Sequence, residues 1–165
     1  MKKSLAILIV IINIFNNSLI IYAQQTYKIY YLENNKEEQL DFDEYVFLGD
    51  VMEDKKIELL LKTYFYNDEK INYIPKDTKI LNIKVINKDL FINFNKNIKN
   101  YGGNHYETNL IRQILHNCFQ FDKIQTVTFL IEGKFEVLPE GHLVFKYTRQ
   151  DLEIMDYNQN IALKN

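Results

Sequence analysis

The chain has 165 residues, room for one domain behind a leader and too little for two comfortable cores. It is 47% hydrophobic and 14% aromatic, which supports a packed core and excludes a disordered chain. Its 20 Lys and Arg against 22 Asp and Glu leave a net charge of −2, without the basic excess that nucleic acid recruits.

Residues 1–23 read as a signal peptide or N-terminal membrane anchor. Lys2 and Lys3 give the positive start, residues 5–12 are apolar, and Ala23 offers a small residue for cleavage. Ile21, three positions before the cut, is larger than signal peptidases prefer. An uncleaved leader would reach the ~20 apolar positions of a membrane helix. No cysteine stands near this segment, so a lipid anchor is not expected.

Residues 25–32 alternate as a strand. The acidic residues 33–43 read as a loop, and residues 44–48 as a short second strand. Gly49 and Asp50 break the chain before a helix whose inward stripe is Ile57, Leu60, Leu61, Tyr64 and Phe65. Ile74-Pro75 is an extended entry, because the residue before proline is pushed out of helical angles. Residues 78–95 form a β-hairpin, with Leu81, Ile83 and Val85 on one face and Leu90, Ile92 and Phe94 on the facing one. Asn87-Lys88-Asp89 makes its turn. Asn104 is placed to cap a second helix, with Glu107 three residues on as in a capping box.

That helix carries Leu110, Ile111, Ile114, Leu115, Cys118 and Phe119 at three- and four-residue steps. It turns at once onto a strand with Val127, Phe129 and Ile131 on one side and Thr126, Thr128 and Leu130 on the other. Beyond Lys134, residues 135–138 and 142–147 read as short extended segments punctuated by Pro139 and Gly141. Residues 149–156 read as one or two helical turns, and residues 158–165 as a frayed end. The predicted fold is α+β, a two-layer sandwich with two helices on one face of a three- to five-stranded sheet. The leader spans 1–23, the domain 25–134, and a partly ordered extension 135–165.

The residues offer little chemistry. One cysteine, Cys118, cannot make an internal disulfide or a cysteine cluster, and its place on an apolar stripe reads as packing. His105 and His116 are ~16 Å apart along one helix, too far to share a metal. The acidic run of Glu37, Glu38, Asp41, Asp43 and Glu44 lacks the internal glycine of a calcium loop. Glu132 and Glu136 bracket Gly133-Lys134, a carboxylate pair that does acid–base work only where a cleft raises one pKa. No serine nucleophile, phosphate loop or cofactor motif is present, so neither catalytic nor metal residues are assigned and no cofactor is expected. The candidate surface is aromatic: Tyr27, Tyr30, Tyr31, Tyr64, Tyr66, Tyr73 and Tyr101 gather near the first strand, the first helix and their loops. Tyrosine serves both protein interfaces and sugar stacking.

Three stretches resemble the GerM-type sporulation and spore germination domain, the GerMN domain. Ile74-Pro75-Lys76-Asp77-Thr78 is similar to that family's IPxGT entry into a strand, with Asp77 where the family has glycine. Residues 83–95 are similar to its hairpin, with Asn87-Lys88 for the usual Asp-Gly turn and Asn95 for a serine. Residues 127–134, VTFLIEGK, are similar to its ending after a helix, a likeness that implies a turn at Glu132-Gly133 in place of a catalytic role for Glu132. The resemblance spans about 26–134. It implies an exported, extracytoplasmic protein of a spore-forming bacterium, non-catalytic, acting in sporulation, germination or envelope assembly. The partners it implies are envelope or sporulation proteins or a second copy of the chain, with peptidoglycan as a further candidate, no nucleic acid, and the membrane only through an uncleaved leader. A cell-wall-processing enzyme and a ring-forming channel subunit are the alternatives.

Overall fold

The computed structural model describes residues 26–32, 40–46, 52–66 and 73–162. The expected leader, Glu37, Glu38 and residues 163–165 lie outside them. The elements are β1 (Thr26–Leu32), β2 (Leu40–Val46), α1 (Glu53–Phe65), β3 (Ile80–Ile86), β4 (Asp89–Phe94), α2 (Asn104–Phe119), β5 (Thr126–Ile131) and α3 (Arg149–Ala162). The α+β class and every element expected before residue 134 are present. Strands β1 and β2 pair antiparallel as a separate two-stranded sheet. Strands β3, β4 and β5 form a second sheet in that order, antiparallel then parallel. The parallel pair requires a crossover, and α2 supplies it.

The core lies between the second sheet and helices α1 and α2. All five stripe residues of α1 are buried, as are the six of α2. They meet Leu90, Ile92 and Phe94 of β4 and Val127, Phe129 and Ile131 of β5. Period-two and helical patterning therefore select the inward faces correctly here.

Strand β2 begins earlier than its sequence suggests. Leu40 pairs with Leu32 and Asp43 with Ile29, so acidic residues expected in a loop sit in a ladder. A neighbouring strand supplies backbone partners that overrule weak intrinsic preference. Strand β3 carries a second correction. Its register breaks between Ile80 and Asn82, so Leu81 falls in an irregularity and is exposed. Ile80, not Leu81, shares the inward side with Ile83 and Val85. One extra residue in a strand changes the face of what precedes it.

Two hairpin turns use positive φ at both central residues, the mirror-image turn that matches strand twist. One is Asn87 (φ 50) and Lys88 (φ 74) between β3 and β4. Asp89 already belongs to the ladder, opposite Ile86, so this turn has two residues rather than three. The other is Glu132 (φ 50) and Gly133 (φ 77), closed by reciprocal backbone bonds between Ile131 and Lys134. Lysine pays a steric penalty in this region that glycine does not. Lys88→Gly is expected to stabilise the domain by about 0.5–1 kcal/mol, net of the freer unfolded chain, read as a higher urea midpoint.

The chain after Lys134 is more ordered than its pattern suggests. Residues 135–145 fold into a hairpin arm. Val137 bridges Leu143, and Leu138 N–H donates to the His142 carbonyl. Its loop, Pro139-Glu140-Gly141, closes with Gly141 N–H on the Leu138 carbonyl and Gly141 at φ 101. The arm covers the edge of β5: Phe129 N–H donates to Val144, and Val127 and Tyr147 exchange two bonds. That cover buries Thr128, whose hydroxyl accepts from Lys146 N–H, on a face expected to be open. Helix α3 runs 14 residues, not one or two turns. Its signal is a capping box overlooked in the sequence: Thr148 and Asp151 exchange side-chain-to-backbone bonds. The box expected at Asn104 and Glu107 does not form. Gly103 precedes α2 with no side-chain cap, and its N–H goes to Glu140.

Candidate interaction surfaces

Helix α2 is buried nearly all round, because its polar side chains meet backbone instead of water. Glu107, Asn109, Arg112, Gln113 and Asn117 are all buried. A buried polar group is tolerable only when hydrogen-bonded. Glu107, Gln113 and Asn117, with Gln120 at the helix C-cap, tie down three separate segments in this way, and Gln113 Nε2 is left buried without a hydrogen-bond partner among the described residues.

Glu107 holds the arm. It is fully buried and accepts from Tyr101 Oη at 2.7 Å, Glu140 N–H at 2.8 Å and His142 N–H at 3.1 Å. His142 Nδ1 lies 2.7 Å from the same carboxylate, and an ionised carboxylate only accepts, so that nitrogen carries the proton. Burial alone would raise the Glu107 pKa, but these donors outweigh it and hold it below the ordinary value. The same contact, after burial, pushes the Tyr101 phenol up.

Gln113 accepts from Tyr64 Oη at 2.8 Å and from Tyr73 N–H at 2.9 Å. Asn117 and Gln120 hold β1 along the edge that β2 leaves open. Asn117 accepts from Tyr30 N–H and donates to the Tyr30 carbonyl, both at 2.9 Å. Gln120 does the same to Lys28 at 2.8 and 2.7 Å. Each carboxamide stands in for a peptide group of a neighbouring strand. Two of them, three residues apart on a helix, replace a missing ladder.

Helix α3 docks on α2 through charge. Asp156 accepts from Arg112 Nε and meets His116 Nε2 at 3.0 Å. Burial raises the Asp156 carboxyl, and the His116 and Arg112 contacts bring it below the ordinary value. Arg149 closes the far end, donating to the carbonyls of Phe119, Phe121 and Ile124. Arg112 and Asp156 neutralise one another across this helix contact.

The seven tyrosines do not make one surface. Tyr27, Tyr31 and Tyr64 are core side chains and present nothing to a partner in this form. Tyr64 is drawn inward by its bond to Gln113, and Tyr27 stacks on Phe121. Tyr30 is half-buried against Phe42 and His116. Tyr73 and Tyr101 are half-buried around Tyr106. Tyr66 is exposed. Alternation placed β1 tyrosines in a strand but could not say that both β1 edges are occupied. Cys118 is fully buried, and burial pushes its thiol up, away from the nucleophilic thiolate. Glu132 accepts from Lys96 N–H and Glu136 pairs with Lys99, so the two carboxylates serve separate local contacts. Among the described residues no three acidic, histidine or cysteine side chains converge as a metal site. Among them, too, no helix is long and apolar enough to cross a membrane.

Among the described residues, seven of the large exposed apolar side chains gather on two features; the others, Phe42, Met52, Leu59, Tyr66, Leu81 and Ile86, are scattered over β2, β3 and α1 with its ends. One is the outward row of α3: Ile154, Tyr157 and Ile161, at three- and four-residue spacing opposite buried Leu152 and Gln159. The other is the outward face of the arm: Phe135, Val137, Leu143 and Phe145.

The family model Germane, described as sporulation and spore germination, matches residues 28–137. No curated protein matches the chain in sequence. Among solved structures, the first GerMN domain of the sporulation protein GerM from Bacillus subtilis is similar at 16% identity and TM-score 0.56, over 77% of this chain and 99% of that one. The tandem GerMN domains of the same protein match at 15% identity and TM-score 0.57, over 78% of this chain and 48% of that one. A Clostridium perfringens protein described as a lipoprotein matches at 16% identity and TM-score 0.51, over 83% of this chain and 94% of that one. At such identities these structures share the fold.

Proposed function

The chain belongs to the Germane family of sporulation and spore germination, and from that premise we propose that it is an exported, non-catalytic module that binds a protein partner in the cell envelope. A sporulation-related role follows from the family. The apolar leader of residues 1–23 supports export. The observation that carries the binding reading is the outward row of α3. Three large apolar side chains on one helix face form the i, i+3, i+7 anchor set of a helix-docked interface. Tyr157, at 65% exposure, is its natural centre. Two of the three anchors are isoleucines. They gain free energy by desolvation against another apolar surface, whereas a glycan strand would use only the tyrosine ring. That composition favours a protein over peptidoglycan.

The test is a photo-crosslinking amino acid at position 157 of the full chain, in sporulating cells. Adducts with one or a few defined envelope proteins are expected, and Ile154→Asp is expected to remove them. Adducts mainly with glycan strands, or none at all, would overturn the protein-binding reading. Release of soluble muropeptides by the purified protein would overturn the non-catalytic one.

A further inference from the structure

The hairpin arm is apolar on both faces, and only one face has a use within the domain. Its inward side chains Leu138 and Val144 join the core, Glu136 pairs with Lys99, and His142 meets Glu107. Its outward side chains lie in two cross-strand pairs. Val137 is opposite Leu143, and the Phe135 and Phe145 rings meet edge to face at 5.3 Å. Their exposures are 63% for Phe135, 46% for Val137, 71% for Leu143 and 53% for Phe145. A single exposed phenylalanine is ordinary, but four large apolar groups in one paired array on a braced hairpin are an interaction surface.

Charge decides what the surface meets. The carboxylates at and around the arm have partners on the body of the domain. Glu132 accepts from Lys96 N–H, Glu136 binds Lys99, Glu140 accepts from Gly103 N–H, and Glu107 is buried. The ammonium groups are not so engaged. Lys134 and Lys146, both exposed, lie just beyond the aromatic pair at the base of the hairpin, one on each strand, and make no ion pair among the described residues. Lys146 Nζ lies 5.5 Å from the Phe145 ring centre, its stem along the ring and its charge toward water. An apolar face edged by aromatic rings and lysines matches the interfacial zone of an anionic bilayer, where rings sit at the headgroups and ammoniums meet phosphates.

We propose that the outward face of the 135–145 arm docks on the surface of an anionic lipid bilayer, with Phe135, Val137, Leu143 and Phe145 in the acyl boundary and Lys134 and Lys146 at the phosphates. This surface is separate from the α3 row, so the domain meets the membrane with one face while α3 meets its protein partner. Only the expectation that a bilayer is nearby rests on the exported reading.

The apolar leader would bring the full chain to vesicles by itself, so the test must read the arm locally. Cys118 is buried and does not label, which leaves a cysteine introduced by Leu143→Cys as the one attachment point for a polarity-sensitive dye. Asn82→Cys, exposed on β3, is the control. On phosphatidylglycerol vesicles the dye at 143 is expected to shift blue, to be quenched by bromolipid and to lose quenching by aqueous iodide. The dye at 82 is expected to show none of these. Neutralising Lys134 and Lys146 together to glutamine is expected to lower the inserted-to-free ratio about 30-fold, as is replacing the lipid with phosphatidylcholine. A dye at 143 that stays equally open to iodide with and without vesicles would overturn the proposal. So would protection that appears only with an added envelope protein, which would make the arm a protein-binding surface. Failure of the crosslinking at position 157 would leave these readouts unaffected.

Discussion

Glu107→Gln is expected to lower the stability of the domain by about 3 kcal/mol and to loosen the arm first. The wild-type carboxylate is fully buried and accepts from Tyr101, two backbone N–H groups and the His142 ring. Hydrogen bonds to a charged group contribute about 1.5–3 kcal/mol each, and donors stranded in the interior cost more than the bonds contributed. Glutamine keeps the shape but turns one oxygen into a donor, which then faces donors on the arm. Hydrogen exchange at the Glu140 and His142 amides should quicken before that of β4. Uniform exchange across the domain would mean that Glu107 supports the fold generally and does not hold the arm in particular.

The same residue sets an acid dependence with a definite sign. Its carboxyl titrates below the ordinary 4.5 when folded. The group therefore contributes stability that is fully present above about pH 4.5 and lost as pH falls through the lowered folded value. The Tyr101, Glu140, His142 and Tyr147 groups face it from the loop, the arm and the segment beside β5. Glu107→Gln is expected to flatten the acid limb of the stability profile, measured by urea midpoints between about pH 3 and 6. An unchanged limb would assign acid sensitivity to other carboxylates, Asp156 first.

Asn117→Ala is expected to cost about 2–3 kcal/mol and to free the β1–β2 sheet. Asn117 alone satisfies both backbone groups of Tyr30, and it donates to the Gln113 carbonyl at 2.8 Å as well. Removing the carboxamide leaves a strand edge unpaired against a buried helix, a loss of about 1–3 kcal/mol for each stranded group. Among the described residues this sheet has no third strand to hold it, and such a ribbon is marginal by itself. The Tyr30 amide should lose its protection from exchange while β4 and β5 keep theirs. Gln120→Ala should act likewise on Lys28, more weakly, because that position is half-buried and water can take the carboxamide's place. Retained protection at Tyr30 in Asn117→Ala would show that packing of Tyr27, Ile29 and Tyr31 holds the sheet unaided.

The apolar faces were legible because they depend on local spacing. The stripes of α1 and α2, and the inward sets of β4 and β5, each follow from a period within one element. The turn at Asn87-Lys88 was legible for the same reason, and family likeness added the one at Glu132-Gly133; both take positive φ. The arm and α3 were harder. The arm's strands are short, apolar on both faces and interrupted by a loop, so no alternation marks them. Thr148-x-x-Asp151 was the available signal for α3 and was missed, while the similar Asn104-x-x-Glu107 misled, because the arm competes for Glu107 more strongly than a helix end does.

By itself, then, the sequence determined the α+β class, the order of elements up to Lys134 and the side of each that faces inward. Those properties are set by the chemistry of neighbours a few residues apart. The tertiary structure decided the rest: that α2 is a buried tie-beam, that Glu107, Gln113, Asn117 and the C-cap Gln120 hold the arm, the Tyr73 loop and β1, and that the arm and α3 carry rows of exposed apolar side chains while Tyr27, Tyr31 and Tyr64 are buried. Asn117 and Tyr30 are 87 residues apart, and Glu107 and His142 are 35. A polar side chain reads as solvated until a distant backbone group is known to arrive beside it, and no local period records that arrival.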